Sequence, residues 1–170
     1  LRHISTDTAW GAVTMETQDG EPVCCPRSAL QRIAAQAERD GYTVKVGSEF
    51  EFFLLPPAAL SRADGESLSR TWHAYGTEAL LDREEFGLRL FTLADRAGLQ
   101  IEQLHCEYGP LQMEVSLPPA APVDAADQAA VLRTLIKSAA KEVGQIASFS
   151  PKPFGDQAGS GAHLHLSLAD

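Results

Sequence analysis

Four separated segments of the chain alternate, residue by residue, between a large apolar side chain and a carboxylate or imidazole. In VGSEFEFFLL (46–55), Glu49 and Glu51 fall on one side and Phe50, Phe52 and Leu54 on the other. In QLHCE (103–107), His105 and Glu107 share a side. In LQMEVSL (111–117), Gln112, Glu114 and Ser116 oppose Leu111, Met113, Val115 and Leu117. In AHLHLSL (162–168), His163 and His165 oppose Leu164, Leu166 and Leu168. A period of two is the periodicity of a β-strand, and side chains two apart on one face stand roughly 7 Å from each other. The simplest common cause is a single sheet, packed on helices through its apolar face, with a floor of carboxylates and imidazoles on the other.

For one strand alone, a plain solvated face explains the alternation as well. Such a face ordinarily carries Lys, Thr, Arg and Ser. These carry Glu, His and Gln, with no Lys or Arg between the glutamates. Carboxylates gathered without a counter-charge are costly, and hard divalent cations such as Mg²⁺ or Mn²⁺ suit carboxylates joined by a lone imidazole. Zinc more often takes cysteines or a tighter histidine set, and HxH alone is a weak motif.

The rest of the chain supplies the helices. Pro26 opens one over RSALQRIAAQAERD, with Leu30, Ile33, Ala34 and Ala37 as its apolar stripe and Gly41 past its end. Asp82 is placed to cap a second over REEFGLRLFTLADRA, closed by Gly98. Asp124 begins the longest, to about Val143. Ala12 to Glu16 reads as a short strand, Phe149 lies in another, and Pro118-Pro119 is expected to end the 111–117 strand. The segment from 58 to 75 reads as a loop, and Tyr108-Gly109-Pro110 joins two arms of a hairpin. Strands and helices joined this way predict an α+β fold, a curved antiparallel sheet packed on helices.

Composition narrows the function. The 14 basic and 23 acidic side chains leave a net charge of −9, which argues against nucleic acid or an anionic membrane as the partner. No apolar run is long enough to span a bilayer and no signal peptide opens the chain. Leu1 is not a usual first residue, so residues are expected upstream of it. Cys24, Cys25 and Cys106 make no disulfide or metal spacing, and reduced thiols in a cytoplasmic protein are expected.

Taken in order, DGEPVCCPRSAL, GSEFEFFLL, HCEYGPLQMEV and FSPKPFGDQAGSGAHLHLSL resemble the signature segments of the glutamine synthetases. The likeness runs from about Asp19 to the end, apart from the stretch between Pro56 and Asp82. It implies that residues 1–170 are part of a catalytic domain, a curved sheet shaped as an open funnel, without the N-terminal β-grasp domain and without the C-terminal part that carries arginines and a further metal-ligating glutamate. By the resemblance, Glu51, Glu107 and Glu114 hold one cation beside the substrate carboxylate. Glu49 and His163 hold a second beside the phosphates of ATP, His165 lies near those phosphates, and Gly159 offers backbone to the amino acid. Glu51, Glu114 and His163 are the catalytic positions it implies. The implied reaction phosphorylates the γ-carboxylate of glutamate with ATP, then displaces phosphate with ammonia or a small amine. The whole protein would be a homo-oligomer, and the 170-residue chain alone inactive.

Departures qualify this. Leu111 stands where the family commonly has glycine, Ser150 and Ala162 where methionines are usual, and Ala158 where an asparagine contacts the amino-acid substrate. The Ala158 change points towards relatives that join glutamate to other amines. A non-catalytic metal-binding relative acting in assembly is the main alternative, and a carboxylate-pair glycosidase a distant one. Gln112 has a metal-water role or a plain polar one. His105 supports a ligand by hydrogen bonding or is merely polar. Trp72, His73 and Tyr75 form a lid or pack ordinarily, Lys152 is a loop lysine more readily than a phosphate contact, and His3 is solvated.

Overall fold

The structure is a computed structural model that describes residues 1–19, 24–58 and 72–170. Its centre is strand β3 (Thr43–Leu55), whose thirteen residues bear the VGSEFEFFLL alternation. On one edge it pairs antiparallel with β5 (Gln112–Ala120), which pairs in turn with β4 (Gln103–Cys106). Its other edge is shared: β7 (Ala162–Ala169) pairs with residues 43–50 and β6 (Ile146–Ser148) with residues 53–55. This five-stranded antiparallel sheet packs on helices, as expected for an α+β chain.

The helical layer is α1 (Pro26–Arg39), α3 (Glu84–Arg96) and α4 (Pro122–Glu142), with a short α2 (Thr77–Leu81) before α3. Phe52, Leu54, Met113 and Val115 from the sheet meet Phe86, Leu90, Leu132, Leu135 and Ile136 from the helices in one core. Phe52 lies between the rings of Phe86 and Phe149, at 5.8 and 5.4 Å. Edge and tilted ring contacts of this kind add to area burial. On the opposite face, Phe53 and Leu55 continue the line of Glu49 and Glu51 but sink into a second cluster with Leu111 and Phe154. The C-terminal half of β3 is therefore buried on both faces, and the carboxylates stand only on its open half.

Several local expectations need correction. The strand expected at Ala12–Glu16 is absent; the short strands there are β1 (Arg2–His3) and β2 (Ala9–Trp10), paired with each other. Ile33 is 67% exposed, while Ser28 is buried. Leu30, Ala34 and Ala37 of the expected stripe are half-buried, so Ile33 is the one member of the four that departs from it. Asp82 does not cap α3 but follows α2, and Arg83 holds the N-cap position of α3 without a side-chain bond. Pro118-Pro119 does not end β5, which runs to Ala120. The register with β3 shifts between Val46 and Ser48, and β4 pairs only as far as Ser116, so these prolines sit at an irregular, one-sided stretch where missing N–H groups are tolerated. Phe149 follows β6 rather than lying within it. Helix α4 begins at Pro122, with Asp124 in its first turn facing the positive end of the helix dipole. Residues 59–71 of the loop expected at 58–75, and Gly20 of the expected turn at Asp19-Gly20, lie outside the described residues.

Gly41 ends α1 at φ +91°, in the left-handed region that glycine enters without strain. Leu111 occupies the same region at φ +68°, which gives a physical reason for glycine to be usual at that position. Here its side chain is buried among Phe53, Leu55 and Phe154, and packing offsets the backbone strain.

Helices α1 and α4 are joined by a two-pronged ion pair. Arg27 Nε donates to Asp127 Oδ1 at 3.0 Å and Arg27 Nη2 to Oδ2 at 2.8 Å. Arg89 of α3 pairs with Glu142 of α4. Partly exposed pairs contribute little. Asp127→Ala is therefore expected to destabilise the fold by no more than about 1 kcal/mol, a fall of roughly 2–4 °C in Tm by thermal melting.

Candidate metal centre

The sheet register assembles the site. Glu114 of β5 lies directly opposite Glu51 of β3 on one side and His105 of β4 on the other. One step along the strands, Glu49 lies between Ser116 and His163; one step further, Gly47 lies opposite His165. Two rows of alternating positions thus bring four strands' acids and imidazoles to one face.

Glu49, Glu51, His105, Glu114 and His163 line an open cleft of about 430 Å³ together with Tyr75, Glu107, Tyr108, Gln112, Ala158 and Gly159, while His165 is not part of that lining. His163 Nδ1 is 3.4 Å from Glu49 Oε2 and 3.9 Å from Glu51 Oε1. His165 Nε2 is 3.1 Å from Glu49 Oε2. His105 places Nε2 3.3 Å from Glu114 Oε1 and Nδ1 3.6 Å from Glu107 Oε1. Among the described residues, donor atoms gather within 4.8 Å of one another in two groups, Glu49–Glu114–His163 and His105–Glu107–Glu114, with Glu114 common to both. All five expected ligands, Glu49, Glu51, Glu107, Glu114 and His163, therefore share the cleft. Their close groupings differ from the expected division, which paired Glu51 with Glu107 and Glu114.

Gln112 holds this array in place. It is buried, and its Nε2 donates to Glu51 Oε2 at 2.8 Å and to the Gly159 carbonyl at 2.8 Å, while its Oε1 accepts the Gly109 N–H at 2.9 Å. One amide thus ties β3, the loop before β7 and the β4–β5 connection together. The loop comes close enough that a Cβ on Gly161 would stand 2.7 Å from His163 Nε2 and 2.8 Å from Glu51 Oε1, so no larger residue fits there with those side chains in place.

The electrostatics match a site short of positive charge. No Lys or Arg lines the cleft among the described residues. The Glu114 carboxyl is held above the usual carboxylate range, first by burial and then by Glu49, Glu107 and Glu51, with His105 opposing. The Tyr75 phenol is pushed up to about 12, first by its hydrogen bond to Glu107 and then by burial. Oxygen donors joined by imidazoles, with no competing cation, suit Mg²⁺ or Mn²⁺.

The remaining candidates separate clearly. Tyr75 stands at the cleft with its ring 5.3 Å from His105 and 5.8 Å from Tyr108. Trp72 donates its indole N–H to the Glu107 carbonyl at 2.7 Å, so it supports the site from behind. His3, His73 and Lys152 are exposed and none of them lines the cleft. Among the described residues no helix is long and apolar enough to cross a membrane.

Fold and site together define an α+β domain with an open antiparallel sheet that presents a carboxylate- and imidazole-lined cleft. The family profile described as glutamine synthetase, catalytic domain, matches residues 23–170, and the chain belongs to that family. It is 35% identical over 161 residues to the gamma-glutamylpolyamine synthetase GlnA3 of Streptomyces coelicolor, covering 94% of this chain and 34% of that protein. It is also 35% identical over 153 residues to the glutamine synthetase of Thermotoga maritima, covering 89% of this chain and 35% of that one. A crystal structure of a glutamine synthase homologue superposes with a TM-score of 0.78 at 31% identity, over 91% of this chain and 34% of the other. The chain thus spans about a third of the length of these relatives. Family membership removes the basis for the glycosidase alternative.

Proposed function

We propose that the chain forms the metal-binding part of a γ-glutamyl ligase, which joins ammonia or an amine to the γ-carboxylate of glutamate at the expense of ATP. The observation that carries this reading is the convergence of Glu49, Glu51, Glu107, Glu114 and His163 on one cleft that no Lys or Arg lines among the described residues. Two curated relatives support the chemistry, one named for glutamine and one for γ-glutamylpolyamine synthesis.

In this reading Glu51, Glu107 and Glu114 hold one divalent cation and Glu49 and His163 a second, Glu114 standing close enough to serve both. Such ions neutralise phosphate oxygens and align donor with acceptor, which is most of what phosphoryl transfer requires. The chain supplies rigidity. Strands place the donors, and Gln112 locks Glu51 in one rotamer. Gly159, tied through its carbonyl to Gln112, positions the loop for the amino acid, and His165 beside Glu49 faces the phosphates. Tyr75, Glu107 and Ala158 line the same cleft, and alanine at 158 is the departure that points towards amines other than ammonia. The protein works in this reading as a homo-oligomer in the cytoplasm, and the catalytic domain is completed by polypeptide beyond these residues.

The test is phosphate release by the whole polypeptide that contains this segment, with ATP, glutamate, Mg²⁺ or Mn²⁺, and a panel of ammonia, alkylamines and polyamines. Amine-dependent turnover is expected, together with its loss in Glu51→Gln. Cation binding without turnover on any amine would favour the assembly-type alternative.

A further inference from the structure

Cys25 lies at the start of α1, outside the cation cleft, and its surroundings differ from those of the other buried thiol. Cys106 is 0% exposed, its Sγ lies 3.7 Å from Met113 Sδ, and burial pushes its thiol up to about 11. Such a thiol is inert. Cys25 is 8% exposed and holds the N-cap position of the fourteen-residue helix, where its carbonyl accepts the Ala29 N–H at 3.0 Å. It therefore stands at the positive end of the helix dipole. The Ser28 N–H, and next the Ser28 hydroxyl, hold the Cys25 thiol below its ordinary range against the effect of burial, and the Arg27 and Met15 N–H groups add to them. Arg27 attracts the thiolate, and Asp127 and Asp124 of α4 act on Arg27 in turn.

Ser28 supplies an observation that does not depend on titration. It is 7% exposed, and its Oγ is buried without a hydrogen-bond partner among the described residues. A buried hydroxyl left unpaired is costly. A neutral thiol is a weak acceptor, whereas an ionised acceptor makes a strong hydrogen bond. A thiolate at Cys25 gives that hydroxyl its partner.

We propose that Cys25 is a thiol–disulfide exchange site made ready by Ser28, and that it reacts with a low-molecular-weight disulfide. The Cys25 thiol gives its proton to solvent. The thiolate attacks one sulfur of the disulfide, a new S–S bond forms as the old one breaks, and the leaving thiolate takes a proton from solvent. The protein sulfur is oxidised and the departing sulfur reduced. Cys24, exposed beside it, does not displace the adduct. Neighbouring Cα atoms stand about 3.8 Å apart, below the roughly 4.4 Å that a disulfide usually spans at least. Extended backbone at Cys25, φ −115° and ψ 120°, also turns successive side chains to opposite sides. The product therefore rests at the mixed disulfide.

The experiment treats the whole polypeptide that contains this segment with glutathione disulfide across a range of pH and reads the adduct by peptide mass mapping. Cys24→Ser and Cys25→Ser assign it; serine is itself a favoured N-cap residue, so the second variant keeps α1. Cys24→Ser is expected to gain one glutathione at Cys25, with a rate whose pH midpoint lies below about 8.5, the value of a free thiol, and returns to it in urea. Ser28→Ala is expected to raise the midpoint and to slow labelling at pH 6 about threefold, because the thiolate fraction falls more than its nucleophilicity rises. Ser28→Thr is expected to restore both. Should the Ser28 variants fold poorly, the midpoint in Cys24→Ser decides alone. An adduct on Cys24 only, a Cys25 as slow as Cys106, or a midpoint at or above the free-thiol value would overturn the proposal, as would labelling unchanged in Ser28→Ala.

Discussion

Glu114→Gln is expected to melt at a higher temperature than wild type in the absence of divalent cations at pH 7, and to lose the rise in Tm that those cations give wild type. Glu114 is the member common to both donor groups, and it lies directly across the sheet from Glu51. Burial, then the three neighbouring glutamates, raise its pKa in the folded chain. A carboxyl whose folded pKa exceeds its unfolded value binds its proton more tightly in the fold. Its stabilising contribution is complete below the unfolded pKa and is lost as pH rises through the folded one. At pH 7 the ionised group is a net cost, which glutamine removes. The advantage of the variant should therefore shrink as pH falls towards about 4, near the unfolded value for a glutamate. With a cation the order reverses. A ligand at a hundredfold excess over its Kd stabilises the fold by about 2.7 kcal/mol, roughly 5–10 °C for a chain of this size. Wild type should show that rise and Glu114→Gln almost none. Melting curves at pH 7 and near pH 4.5, with and without Mn²⁺, check both halves; a metal-free variant less stable than wild type at pH 7 would contradict the electrostatic account.

Gln112→Leu is expected to weaken cation binding by roughly 10–100-fold, although Gln112 is not itself a ligand in this account. Its amide fixes Glu51 by one hydrogen bond and the Gly159 loop by another. Leucine matches its bulk but leaves Glu51, the Gly159 carbonyl and the Gly109 N–H without that partner. The fold should also lose stability, because each buried polar group left unpaired costs about 1–3 kcal/mol. Gln112→Glu separates the two effects. It keeps an acceptor for Gly109 but sets a carboxylate against Glu51, so metal-free stability should fall while added Mn²⁺ restores part of it. Isothermal titration with Mn²⁺ measures the affinities. Equal affinity in wild type and Gln112→Leu would show that Glu51 needs no such support.

The strands and their faces were legible because a period of two, repeated in four segments, leaves little freedom. Glu49, Glu51, Glu114 and His163 stand where that alternation puts them. The lateral register was not legible, since alternation says which face a residue takes but not what lies beside it. Hence His105, opposite Glu114, was not distinguished from an ordinary polar residue, and the role of Gln112 stayed open. Local signals failed where tertiary context overrode them. Pro118-Pro119 reads as a stop, yet a one-sided strand admits it; Asp82 reads as a cap, yet a short helix ends there. Leu164, Leu166 and Leu168 take the predicted apolar face of β7, yet are 70%, 71% and 69% exposed, because the helices packed on β3 and β5 do not extend over them.

The central claim is that acids and imidazoles from four strands jointly bind divalent ions. Counting bound Mn²⁺ by the EPR signal of the free ion tests it most directly. Saturable binding of two ions by the wild-type chain, with Glu114→Gln impaired at both, is the predicted result. No saturable binding up to millimolar Mn²⁺ would contradict the account.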